Sequence, residues 1–141
     1  EEARKTLAEA KRVNAETKRL AERAEEEVTR NHAIMEEAER ALRLRELDKL
    51  EFYCKGRGFN YKREDVVRNA YERHIVIVYD EYGNRLWDAS CAPGTYGYEQ
   101  GKLEILGSIV FEDDQDGAEG VAGWLTAEEV IERIKRWERE T

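Results

Sequence analysis

Residues 7–47 read LAEAKRVNAETKRLAERAEEEVTRNHAIMEEAERALRLREL, a stretch that contains neither glycine nor proline. The first glycine of the chain is Gly56, and its only proline is Pro93. Because these two residue types are the ones that normally interrupt a helix, the stretch predicts one long α-helix. At about 1.5 Å per residue the helix would be roughly 60 Å long, more than a small domain can cover. We therefore expect most of it to bind another chain.

A seven-residue repeat of small and apolar side chains runs along this stretch. One core position of the repeat holds Leu7, Asn14, Ala21, Val28, Met35 and Leu42. The second core position holds Ala10, Thr17, Ala24, Asn31 and Ala38, and a flanking row adds Val13, Leu20, Ile34 and Ala41. Alanines let helix backbones approach closely, and a core asparagine fixes register or oligomer state at a cost in stability. The repeat predicts a homo-oligomer, and a solvated single helix held by charge pairs such as Glu1 with Lys5 is the alternative.

After Leu50 the pattern changes, and shorter segments predict a small α+β domain. The predicted strands are Phe52–Lys55, His74–Tyr79, Arg85–Ala89 and Leu103–Phe111, the last of them interrupted at Gly107. The second of these reads HIVIVY, and its consecutive apolar residues favour a central strand. Tyr82-Gly-Asn84 is typical of a hairpin turn between two of the strands. The strands together predict an antiparallel sheet.

Two helices are expected to cover this sheet. The first is predicted over Lys62–Tyr71, with Asn60 as its N-cap. The second starts at Thr126-Ala-Glu-Glu129, which has the form of a capping box. Its apolar face holds Val130, Ile131, Ile134 and Trp137. The sequence therefore predicts an oligomerisation or partner-binding helix over residues 1–49 and an acidic α+β domain over residues 50–141.

The negative charge of the chain lies in its second part. Residues 1–50 carry 12 Lys and Arg against 13 Asp and Glu, whereas residues 51–141 carry 12 against 19. Nucleic-acid binding requires basic side chains that neutralise phosphates, so we expect instead a protein partner with a basic surface. Two cysteines are too few for a disulfide scaffold, and no stretch resembles a signal peptide or a membrane span. We expect a cytoplasmic protein without a cofactor.

Two segments are candidates for binding the protein partner. Residues 91–107 place Pro93 and four glycines around Tyr96 and Tyr98, a composition typical of binding loops. The alternative role of this segment is a turn that covers the core. Acidic side chains form the second candidate surface, and these are Glu99, Glu112, Asp113, Asp114, Asp116 and Glu119. The acidic run has some likeness to a calcium loop, but position twelve is Gly123 instead of glutamate, so we expect no metal.

A basic and aromatic cluster interrupts the acidic domain near its start. Its cations are Lys55, Arg57, Lys62 and Arg63, and its aromatic residues are Phe59 and Tyr61. Residues 55–59 read KGRGF and share the K-G-x-G-F skeleton of an RNA-binding strand motif, but no second strand of that fold fits the sequence. The alternative function is therefore a small-ligand or RNA-binding domain that uses this cluster.

A nucleophilic set can be assembled from Cys91, His74 and either Asp80 or Asp88, because a reactive thiolate needs a base and an orienting acid. His74 begins an apolar strand and Cys91 follows another, which favours a structural role in the core. With His32 on the helix, the two histidines are too scattered for a zinc site. We therefore expect no enzymatic activity.

Residues 95–107, TYGYEQGKLEILG, are followed by an acidic gap and by residues 123–130, GWLTAEEV. Together they resemble small uncharacterised proteins of bacterial phages and prophages, over about residues 74–135 and outside the N-terminal helix. The resemblance implies a host-cell cytoplasm in which short acidic proteins act as anti-defence inhibitors, anti-CRISPR proteins included. An acidic surface that blocks a basic nucleic-acid-binding partner is the function that this setting implies.

Overall fold

The computed structural model describes residues 1–114 and 120–141 and contains two compact units, Glu1–Glu39 and Arg40–Thr141. The helices are α1 (Glu2–Arg43), α2 (Arg45–Arg57) and α3 (Ala127–Glu140). The strands are β1 (Asn60–Arg68), β2 (Tyr71–Tyr79), β3 (Arg85–Cys91), β4 (Leu103–Gly107) and β5 (Val121–Leu125). A long N-terminal helix followed by an antiparallel sheet and two further helices confirms the predicted α+β class.

The first unit contains α1 as far as Glu39, and none of the residues of α1 is buried. Its local contacts are exposed ones: Arg12 lies 3.8 Å from Glu9, Arg19 lies 3.7 Å from Glu16, and the Thr29 hydroxyl donates to a backbone carbonyl. Exposed pairs of this kind contribute only about 0.2–0.5 kcal/mol each to a helix. The long helix predicted from the sequence is confirmed, although it ends at Arg43 and α2 begins two residues later.

The second unit is built on a five-stranded antiparallel sheet in which each strand pairs with the next along the chain. Its register places His74 opposite Cys91, Val76 opposite Ala89 and Val78 opposite Trp87. These pairs belong to one face of the sheet, because successive residues of a strand point to opposite sides. Ile75 and Ile77 lie on the other face and are buried as well, so β2 is apolar on both sides. The strand predicted to be central is an interior strand, between the edge strand β1 and β3.

Helices α2 and α3 pack on the face that carries Val76, Val78 and Trp87. The residues that they bury are Leu47, Leu50 and Cys54 from α2, and Ala127, Val130 and Ile134 from α3. The spacing of three, four and seven residues puts each set on one side of its helix. These side chains and the covered face of the sheet form one hydrophobic core.

Two features of this unit agree with the sequence in detail. The Thr126 hydroxyl accepts from the Glu129 amide at 3.2 Å, and the Glu129 carboxylate accepts from the Thr126 amide at 3.1 Å, so the predicted capping box is confirmed. In the predicted hairpin turn, the Asp80 carboxylate accepts from the amides of Tyr82 and Asn84 at 2.9 and 2.8 Å. Both devices satisfy backbone donors that would otherwise lack a partner.

Two predicted elements are wrong, and a third is shorter than predicted. Phe52–Lys55 is not a strand but the last part of α2, and the predicted helix over Lys62–Tyr71 is replaced mainly by β1. The strand predicted over Leu103–Phe111 ends at Gly107, which has a φ of 102°. A Cβ on Gly107 would lie 2.5 Å from the Leu86 carbonyl oxygen, so close strand packing requires glycine there. β5 begins within residues 113–123, an acidic stretch with glycines whose composition is typical of a loop.

Candidate functional site

The first candidate surface is the row of large apolar side chains on α1, here named the α1 stripe. Its members in the first unit are Leu7, Val13, Leu20, Val28, Ile34 and Met35. Each of them is at least half exposed, and the predicted oligomerisation residues Asn14 and Ala21 are exposed too. Leu42, the remaining predicted residue, lies in the second unit and is also exposed. The predicted oligomerisation residues are therefore accessible along the helix.

Charge is distributed unevenly along α1. Residues 1–23 carry seven Lys and Arg against five Asp and Glu, whereas residues 24–39 carry one against six. The beginning of the helix is thus basic and its middle is acidic. A surface with this polarity fits a partner in which the two signs follow each other in the opposite order.

The second candidate surface is the face of the sheet opposite α2 and α3, here named the open face. By strand register it carries Lys62 and Glu64 of β1, Arg73, Ile75 and Ile77 of β2, Asp88 and Ser90 of β3, and Glu104 and Leu106 of β4. A groove of about 400 Å³ lies on this face. Ile75 and Ser90 are direct cross-strand neighbours within it, and Arg73 and Arg85 are among its lining residues.

One carboxylate in the groove is buried. The Asp88 carboxylate lies 2.9 Å from the Arg85 guanidinium, and only 7% of its side chain is exposed. Burial raises the pKa of Asp88, whereas the charges of Arg85 and Arg73 act in the opposite direction. The ion pair with Arg85 thus compensates part of the desolvation of this carboxylate.

Arg73 differs from the other cations of the open face. Lys62 lies 3.0 Å from Glu64, and this contact is the main reason why the pKa of Glu64 is lowered. Within residues 1–114 and 120–141, no carboxylate oxygen lies within 4.0 Å of the Arg73 guanidinium. Arg73 still contributes to the lowered pKa of Glu64, so it faces the same surface. It is a cation without a direct counterion beside a groove.

An aromatic pair lies beyond the groove, where β4 meets β5. The rings of Tyr96 and Trp124 are stacked, with centroids 4.9 Å apart and an angle of 11° between their planes. Trp124 has a φ of 55°, rare for an aromatic residue, and its amide donates to the Tyr96 carbonyl at 3.1 Å. A Cβ on Gly123 would lie 2.3 Å from Tyr96 Cβ, so this stacking requires glycine there. The predicted binding residue Tyr96 is thus held in a defined position.

Tyr98, the second predicted tyrosine, takes part in contacts within the second unit. Its hydroxyl donates to Glu72 Oε2 at 3.2 Å, and the Arg43 guanidinium lies 5.2 Å from the centre of its ring. Arg40 also contacts Glu72, at 3.2 Å. Tyr98 therefore fastens residues of the last turn of α1 to β2, whereas Glu99 beside it is exposed.

Cys91 and His74 lie opposite each other on neighbouring strands, but the acid beside His74 is neither Asp80 nor Asp88. His74 Nδ1 lies 2.7 Å from Asp65 Oδ1, and Nε2 lies 3.1 Å from Glu72 Oε2 without the alignment of a hydrogen bond. Cys91 is fully buried, and burial raises its pKa to about 11. A covered, protonated thiol is a weak nucleophile, so this geometry gives a catalytic set no support.

Two carboxylates of the predicted acidic surface contact α3. Asp114 lies 3.0 Å from the Arg133 guanidinium, and Asp113 lies 3.3 Å from that of Arg136. Glu112 is exposed in the same short turn. Asp116 and Glu119 lie outside the described residues. Two carboxylates of this surface are therefore paired with arginines of the same unit.

The four cations of the predicted basic cluster do not form one patch. Arg57 is paired with Glu138 of α3, and Lys62 lies on the open face with Glu64. Arg63 contacts Asp48, Glu51 and Asp65 at 3.0–3.1 Å on the side of α2. Lys55 is exposed on α2. The structure thus distributes these cations over separate ion pairs and leaves no shared anion site for them.

Arg73, Arg85 and Trp124 are not among the site residues that the sequence predicts. The sequence feature that could have identified Arg73 is its position two residues before Ile75, because alternate residues of a strand share a face. For Trp124 the signal was the preceding glycine, which is typical of a bulge or of a close approach. Among residues 1–114 and 120–141, no three His, Cys, Asp or Glu side chains are arranged to hold a metal ion.

In the described parts of the chain, no helix combines the length and apolar composition that crossing a bilayer requires. Comparisons of the chain with protein-family models, with curated proteins and with solved structures find no match.

Proposed function

We propose that the protein is a non-enzymatic interaction protein that self-associates through α1, with a second copy of the chain covering the α1 stripe. The observation that carries this proposal is the exposure of all six large apolar side chains of the stripe. Burial of one such side chain is worth about 1.5–3 kcal/mol, far more than an exposed charge pair of the helix. A second α1 offers the same seven-residue repeat as cover.

Charge complementarity supports an antiparallel pair. In that arrangement, residues 1–23 of one helix lie beside residues 24–39 of the other, and opposite net charges meet. A parallel arrangement would place two segments with one basic and six acidic side chains next to each other. Like charges at that distance destabilise a helix pair, and opposite charges favour encounter. The charge distribution is therefore best satisfied when the second helix is reversed.

Self-association would place at least two open faces in one assembly. Two copies carry two grooves and two aromatic pairs, so a partner with repeated binding sites gains affinity without any additional contact type. In this proposal the second unit recognises the partner, and α1 joins the copies.

The narrower hypothesis of an acidic surface that blocks a basic nucleic-acid-binding protein draws its support from the charge of residues 51–141. The pairing of Asp113 and Asp114 with arginines of α3 reduces the charge that these two side chains can offer to a partner. The proposal therefore rests on α1 and not on the acidic turn.

The test of self-association is the mass of the full chain in solution, measured by light scattering during size exclusion at micromolar concentration. We expect at least twice the chain mass of 16.5 kDa. The double variant Leu20→Glu with Ile34→Glu should be a monomer. Its matched control, Ala15→Glu with Ala33→Glu, changes the charge equally outside the stripe and should stay associated. A monomeric full chain, or equal masses for the two variants, would contradict the proposal.

The orientation of the helices has a separate test. Salt screens attraction between opposite charges, so raising the salt concentration should weaken an antiparallel pair. It should strengthen a parallel pair, in which like charges repel. The dissociation constant from sedimentation equilibrium at low and high salt distinguishes the two, and tighter association at high salt would exclude the antiparallel arrangement.

A further inference from the structure

The groove of the open face combines a cation without a direct counterion and a serine hydroxyl. Arg73 has no carboxylate oxygen within 4.0 Å among the described residues, although the charge of the chain is −8. Ser90 is only 8% exposed and lines the same groove. A guanidinium without a nearby carboxylate and a hydroxyl in the same groove are hydrogen-bond donors that an anion can use together.

Strand register brings these two groups within reach of one small ligand group. Ser90 stands directly opposite Ile75, and Arg73 is two residues from Ile75 on the same strand. Such diagonal neighbours lie about 7–8 Å apart, a separation that a long arginine side chain can reach across. An oxyanion accepts hydrogen bonds from a guanidinium and from a hydroxyl at the same time.

The rest of the groove fits an apolar body. Ile75, Leu106, Pro93 and Ala92 line it, and its volume of about 400 Å³ is within the range of small-molecule sites. Asp88 lines the same groove and is already paired with Arg85. A carboxylate at that place repels additional negative charge, so a ligand with one charged end is favoured over a polyanion such as a nucleic acid.

We propose that the open face binds a small organic anion, whose carboxylate or phosphate group contacts Arg73 and Ser90 and whose apolar part lies on Ile75, Leu106 and Pro93. This site is formed by the second unit alone. It does not require α1 to associate, so failure of one proposal leaves the other standing.

The test is a titration of the full chain with benzoate, phenyl phosphate and the neutral analogue benzamide, followed by NMR shifts of backbone amides. Both anions should produce saturable shifts at Ser90, Ile75 and Thr95, and benzamide should bind at least about tenfold more weakly. Tighter binding of benzoate would identify a carboxylate ligand, and tighter binding of phenyl phosphate a phosphate ligand. Absence of saturable shifts with either anion would overturn the proposal.

Two variants and a matched control locate the site. Arg73→Gln should weaken binding of both anions about tenfold or more and bring it near that of benzamide, and Ser90→Ala should weaken it severalfold. Arg139→Gln removes the same charge from α3, on the other side of the sheet, and should leave anion binding unchanged. Thermal unfolding of each variant shows that it is folded. Equal affinities for Arg73→Gln and Arg139→Gln would also overturn the proposal.

Discussion

Helix α1 lies mostly in the first unit and α3 lies in the second, and they show two ways in which a sequence forms a helix. α1 has 42 residues and buries none of them, whereas α3 has 14 residues and buries Ala127, Val130 and Ile134. α3 is fixed by a capping box and by a core that already exists beneath it. α1 has the residue composition of a helix and an apolar stripe, but no cover of its own. The difference teaches that regular secondary structure and packing are separate outcomes of a sequence.

The largest effect that tests this difference is removal of a core side chain. Trp87 is 2% exposed, so Trp87→Ala should lower the free energy of unfolding of the second unit by roughly 3–5 kcal/mol. Leu20→Ala in the α1 stripe should leave that free energy unchanged and weaken association instead. Urea unfolding followed by NMR of second-unit amides measures the free energy of unfolding for both variants, and light scattering measures association. A large effect of Leu20→Ala on those amides would show that the units are not independent in stability.

A second comparison uses one residue type at a packed and at an open position. At Gly107 a Cβ would meet the Leu86 carbonyl oxygen at 2.5 Å and φ is positive, so Gly107→Ala should destabilise the second unit by roughly 2–4 kcal/mol. At Gly56, within α2, nothing lies within 4 Å of the added carbon. Gly56→Ala should therefore stabilise the unit by about 0.5–1 kcal/mol. Unfolding free energies with the same sign would contradict the structure at one of the two positions.

Acid should act on the second unit through Glu72. Burial raises the pKa of this carboxyl, but contacts with Arg40, His74 and Tyr98 outweigh burial and hold it below its usual 4.5. A lowered pKa in the folded state contributes stability above the unfolded value, and this contribution is lost as pH falls through the folded value. We expect Glu72→Gln to destabilise the unit by about 1–2 kcal/mol at pH 7 and much less below pH 4, by thermal unfolding.

The control for this pH effect lies in the first unit. Glu37 is exposed on α1, and Glu37→Gln removes the same charge without touching the network around His74. The pH profile of unfolding of the second unit should stay as in the parent chain. A profile flattened as much by Glu37→Gln as by Glu72→Gln would assign the pH dependence to overall charge instead of to the Glu72 contacts.

The smallest effect compares two threonines. Thr126 caps α3, and Thr126→Ala should cost about 1 kcal/mol in the free energy of unfolding. The Thr29 hydroxyl donates to the Glu25 carbonyl at 2.9 Å within exposed α1. Alanine has the higher helix propensity and no cap is lost, so Thr29→Ala should change stability by only a few tenths of a kcal/mol. Chemical denaturation with circular dichroism measures both variants, and a cost at Thr29 equal to that at Thr126 would oppose this interpretation.

Sequence patterns identified α1, β2 and α3 because each carries a signal that does not depend on its neighbours. These signals are the missing glycine and proline, the apolar run of residues 74–79, and the capping box at Thr126. The sequence pattern did not predict β1 as a strand, because charged residues occupy both of its faces. Arg63 and Asp65 on the covered side are satisfied by carboxylates and by His74, partners that only the folded chain brings together.

The groove of the open face could not be predicted from the sequence for a similar reason. It forms where β2 and β3 meet, and nothing in either strand alone shows that Arg73 and Ser90 become diagonal neighbours. The basic cluster at Lys55–Arg63 looked like one site because its cations are close in sequence. A change from helix to strand between them sends Arg57, Lys62 and Arg63 to three different surfaces.

Both native cysteines are fully buried, and burial raises the pKa of Cys54 to about 12 and that of Cys91 to about 11. Thiol reagents such as maleimide dyes should therefore leave the folded parent chain unlabelled. A single cysteine introduced at an exposed alanine of α1 becomes the one site that accepts a dye, with no need to replace Cys54 or Cys91. Energy transfer between dyes on two copies then reports helix orientation directly. Because both native cysteines are buried in the second unit, α1 can be labelled selectively.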